Sequence, residues 1–151
     1  MGTTFVHAKP HGTDVPGFWM RDSVLELWLR FLALHIKDPL EPPTLATSIR
    51  DQWLLASRGY FGGMVPHGLD EAVATPEGEA IVRAAIHSLL ESLAKAPRDF
   101  GPEVLNLMGI EGEFFGRWET SRFIEVGQAF IDLLDGKISD TSASTAFMPG
   151  S

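Results

Sequence analysis

From Val24 to Ile36, ten of thirteen residues are apolar, and only Glu26, Arg30 and His35 interrupt the run. A surface helix buries one stripe and leaves the rest to water. A helix that is apolar around most of its circumference must be covered on several sides. This segment therefore demands a place at the centre of a domain or in a subunit interface. It is expected to start near Pro16, a residue suited to a helix's first turn, and to run to about Lys37. Asp22, Glu26, Arg30 and Lys37 fall on a narrow polar stripe, and Glu26 and Arg30 form a favourable i,i+4 pair. The charges at 21, 22, 26 and 30 also break the stretch 18–36, so it is not expected to span a bilayer.

The rest of the chain reads as further helices around this one. Thr44 is a candidate N-cap for a helix over Leu45–Arg58, with Gly59 as its stop. Residues 69–74 predict a short helical turn. Thr75-Pro76-Glu77 combines a cap, a first-turn proline and an acid at the positive end of the dipole, opening a helix that runs to about Ala96. Pro102–Met108 predicts another short helix, and Glu119–Asp135 a last long one ended by Gly136. Thr3–Lys9 has extended character, but seven residues alone do not make a sheet. The expected fold class is all-α: a single-domain irregular or orthogonal bundle of four main helices plus two short ones, with no significant sheet. The domain is expected over 1–136, its first 13 residues irregular, with 137–151 a mobile tail unless Phe147 and Met148 dock.

Composition narrows the function classes. The chain has 151 residues, 44% of them hydrophobic, which is too apolar for intrinsic disorder. Its net charge of −8 is unevenly spread: residues 1–50 are neutral, 51–100 carry −3 and 101–151 carry −5. No stretch is basic, so nucleic acid and anionic membrane are not expected partners. The absence of cysteine excludes disulfides and thiol catalysis from these residues. With no basic region leading into an apolar run at the N-terminus, the expected location is cytoplasmic.

Catalytic and metal motifs are wanting. His7 and His11 have i,i+4 spacing, but Pro10 between them discourages the helix that would make it useful. His35 lies near the end of the first helix, where a histidine ordinarily bonds to a carbonyl. No Gly-x-Ser-x-Gly or Walker loop occurs. Glu111 and Glu113, and Asp70 and Glu71, are paired carboxylates in wet, glycine-rich surroundings. No catalytic residue, metal site or cofactor is expected.

Two places concentrate aromatic, polar and flexible residues. Arg50, Gln52, Trp53 and Arg58 lead into GYFGGMVPHGL at 59–69, with Tyr60, Phe61 and His67, and Asp70 follows. Either this is a recognition surface or pocket lip, or its aromatics plug the bundle. The second place is GIEGEFFGRW at 109–118, where Phe114, Phe115, Arg117 and Trp118 either close the core or form a docking patch. Ten Phe and four Trp are a surplus for so short a chain. The leading expectation is a non-enzymatic interaction protein, an adaptor, inhibitor or immunity-type partner, with self-association into a homodimer as one outlet for the surplus. The alternatives are a binder of a small apolar ligand near the 59–69 loop, and an enzyme with dispersed acid and base residues.

Overall fold

A computed structural model describes residues 2–10, 14–37, 44–59, 64–108 and 114–151. About 53% of the chain is helical, so helices dominate, but the all-α expectation is corrected by two small antiparallel sheets. Strand β1, Thr3–His7, pairs with β2, Gly17–Arg21, in a register that sets Phe5 opposite Trp19. β2 occupies the stretch in which the first helix was expected to begin. The reason is period: Phe18 and Met20 are buried and Trp19 only half-buried, an alternation of two that suits a strand. Gly17 permits the pairing, because a Cβ there would collide with the Val6 carbonyl.

Helix α1 then runs over Asp22–Leu34 without a break from β2. Its buried residues Val24, Leu25, Leu27, Trp28, Leu29, Leu32 and Ala33 cover most of its circumference. It packs on α2, Leu45–Ala56, on α4, Pro76–Ala94, and on the β1–β2 hairpin, so it is the central helix. Glu26 of its polar stripe is buried rather than solvated.

The capping chemistry falls where the sequence puts it. Thr44 caps α2 by accepting from the Thr47 amide, and Thr75 caps α4 by accepting from the Gly78 amide. Gly59 and Gly136 take positive φ of 77° and 74° just past their helices. α3 is one turn, Leu69–Ala72. Beyond α4, β3, Asp99–Phe100, pairs with β4, Trp118–Glu119, and between them lie α5, Pro102–Leu105, and a 3₁₀ turn, Asn106–Met108. α6, Thr120–Leu134, packs along α4.

The C-terminal residues return to the hairpin. The Gly17 amide donates to the Asp140 carbonyl at 2.9 Å, and the Trp19 indole to the Ser142 carbonyl at 3.2 Å. The Phe147 ring docks on Phe18 with centroids 5.9 Å apart. The Gly150 amide donates to Glu125 of α6 at 3.1 Å. The outer edge of β2 is thereby covered. Among the described residues, no helix is long and apolar enough to cross a membrane.

Candidate functional site

The residues of the 50–70 region converge, but inward. Trp53, on the buried face of α2, is 1% exposed, and its indole N–H donates to the His67 carbonyl at 3.0 Å. His67 is 3% exposed. Its Nδ1 accepts from the Leu69 amide at 2.9 Å, which leaves the proton on Nε2, facing the Phe5 carbonyl at 3.2 Å. Burial lowers its pKa to about 4, and the nearby His7 adds to the shift against the opposing effects of the Phe5 carbonyl and Asp70. The ring is therefore neutral at pH 7, with both nitrogens engaged. His7 stands beside it, ring centroids 5.1 Å apart, and its Nδ1 bonds to the Lys9 carbonyl at 2.7 Å.

Thr4 completes this joint between the hairpin and the 64–69 segment. Its hydroxyl accepts from the Val65 amide at 2.8 Å and donates to Asp22 at 2.7 Å. The Gln52 amide group lies against Gly68, whose φ of 57° favours glycine and where a side chain would have to displace Gln52. Asp70 is half-buried on α3. Arg50 pairs with its neighbour Asp51 at 3.1 Å, and Arg58 is exposed. Tyr60 and Phe61 lie outside the described residues, as do His11, Glu111 and Glu113. Trp53 and His67 thus offer little surface to a ligand; their polar atoms hold the hairpin to α2 and α3.

The 114–118 segment splits its aromatics. Phe114 is 6% exposed and packs edge-on against Trp118, with centroids 5.6 Å apart. Phe115, the next residue, is 85% exposed. Asn106 holds this arrangement at two points: its amide donates to the Phe114 carbonyl at 2.9 Å, and its side-chain oxygen accepts from the Phe114 amide at 2.7 Å. The residue after Asn106 is Leu107, which is 84% exposed, and Val104 is exposed on the same short helical piece. One clamp therefore has an outward apolar side chain following each of its two ends. Arg117 is anchored to Asp99 through a 2.8 Å bond from Nε, and the guanidinium of Arg122 lies 4.7 Å from the centre of the Trp118 ring. Glu103 and Glu119, from the same segments, are exposed.

Sequence reasoning found Phe115 but missed Leu107, Val104 and Asn106. The only signal was Leu107 as a large apolar residue next to a polar one in a short helix, which is not distinctive. It also missed two concavities. One of about 560 Å³ lies between the end of α1 and α4, lined by Ile36, Ile81, Ala84, Ala85 and a His35–Ser88 pair among others. His35 Nδ1 lies 2.9 Å from the Ser88 hydroxyl, so its side-chain partner is a hydroxyl rather than a carbonyl. The second, of about 430 Å³, brings Lys9, Val73, Glu79, Leu133 and Ile138 together. Among the described residues, no group of three or more His, Asp or Glu is placed to hold a metal ion. No family model, curated protein or solved structure matches the chain.

Proposed function

We propose that the protein is a non-enzymatic interaction module, an adaptor or inhibitor, that docks on another protein through Leu107 and Phe115. The observation that carries this reading is the Asn106 clamp. It presents two large apolar side chains almost wholly to water from backbone that is itself pinned down. Exposed single hydrophobics are ordinary, but rigid ones clustered on one piece of surface are what a partner's pocket receives. Ordering the contact before binding lowers the entropy lost on association.

The charge around the patch selects the partner. Residues 101–151 carry −5 overall, and Glu103 and Glu119 stand on the flanking segments, where Arg117 is taken up by Asp99 and Arg122 by the Trp118 ring. A second copy would bring like charges together, which disfavours self-association through this face. A partner with an apolar cleft and a basic rim fits both features.

Titration of the ¹⁵N-labelled protein with a lysine- and leucine-rich amphipathic helical peptide tests the reading. Shift changes are expected at 104–108 and 114–119, weakening with salt and vanishing in a Leu107→Asp/Phe115→Asp variant. Shift changes centred elsewhere, or unaltered by the double substitution, overturn it.

A further inference from the structure

We propose that the groove between the end of α1 and α4 is a second, independent site that binds an elongated aliphatic diamine as its dication. Its walls alternate in character along α4. Glu77 and Glu91 stand at either end, and Ala80, Ile81, Ala84 and Ala85 lie between them, with Ile36 contributed from beyond α1. Fourteen residues of helix separate the two carboxylates, a rise of about 21 Å. A compact cation meets one of them; only a long molecule with a charge at each end meets both and lays its methylene chain on the apolar middle.

The charge balance of the groove points the same way. Of the first-turn acids of α4, Glu79 pairs with Arg83 at 3.6 Å. Neither Glu77 nor Glu91 has an ion-pair partner among the described residues. Besides His35, the basic side chains among the lining residues described are Lys37 and the exposed His87, against these two carboxylates. His35 does not add a cation at pH 7, since burial lowers its pKa. Its contact with Ser88 places a hydroxyl at the groove wall, where the serine oxygen keeps a lone pair for an ammonium. The chain's net charge of −8 favours the approach of any cation, but only the groove distinguishes cations by length.

The test is calorimetric titration of the full chain with 1,4-diaminobutane, 1,8-diaminooctane and 1,12-diaminododecane, with 1-aminooctane as a singly charged control. Affinity is expected to rise about tenfold or more from the shortest diamine to the longest, and to fall with salt. Glu77→Gln and Glu91→Gln should each reduce the affinity for 1,12-diaminododecane about three- to tenfold, whereas Glu119→Gln should not. Ala84→Trp fills the groove at an exposed helix position and should abolish binding with an unchanged melting temperature. Affinities independent of chain length, or indifferent to Glu77→Gln and Ala84→Trp, overturn the proposal. Since Leu107→Asp/Phe115→Asp lies on other elements, binding of the diamine by that variant separates this site from the docking patch.

Discussion

His67 shows how a single residue's chemistry is decided by what surrounds it. In the sequence it sits in a glycine-rich loop and reads as a polar contact for a ligand. In the fold it is a sealed joint whose nitrogens face Phe5 and Leu69. Nothing local to 59–69 announces this, because the partner carbonyl comes from a strand some sixty positions away. The lowered pKa has a stability consequence. The unfolded chain takes up a proton near pH 6.5, whereas the folded one resists until about pH 4. Stability contributed by the neutral ring is therefore complete above pH 6.5 and is lost as pH falls towards 4, by up to about 3 kcal/mol. Urea unfolding across this range should show that loss in the native chain and a shallower one in His67→Gln. Equal slopes would mean that the ring is not sealed.

At the scale of elements, the helices were legible and the sheets were not. Thr44 and Thr75 caps and Gly59 and Gly136 stops are local signals, written within one or two turns. The hairpin is written across the chain. Each of its strands has five residues, and Pro16 ahead of an apolar run resembles a helix start. What tips Gly17–Arg21 into a strand is pairing with Thr3–His7 on one side and the return of the C-terminal residues on the other. The Asn106 clamp was illegible for the same reason, since its partner lies eight residues on. Truncation after Ile138 should expose Phe18 and the outer edge of β2. The expected cost is about 2 kcal/mol or more, with faster hydrogen exchange at the Gly17 amide and α4 amides still protected. Unchanged Gly17 exchange would contradict the covering role of 139–151.

For the whole molecule, the surplus of aromatics noted in the sequence is mostly absorbed. Phe18, Trp28, Phe123 and Phe130 are fully buried, and the Phe130 ring packs 5.6 Å from the rings of both Phe18 and Trp28. Phe115 is the most exposed of the described aromatics, and it stands in the most acidic third of the chain. That combination singles out the docking surface. It is tested most directly by Phe115→p-benzoylphenylalanine, irradiated in the protein's own host cells, with Ser121→p-benzoylphenylalanine as an exposed control. A discrete protein adduct is predicted at position 115, absent at 121 and lost when Leu107→Asp is added, while the melting temperature stays unchanged because both side chains are solvent-facing. The same adducts at both positions, or none at 115, would contradict the account.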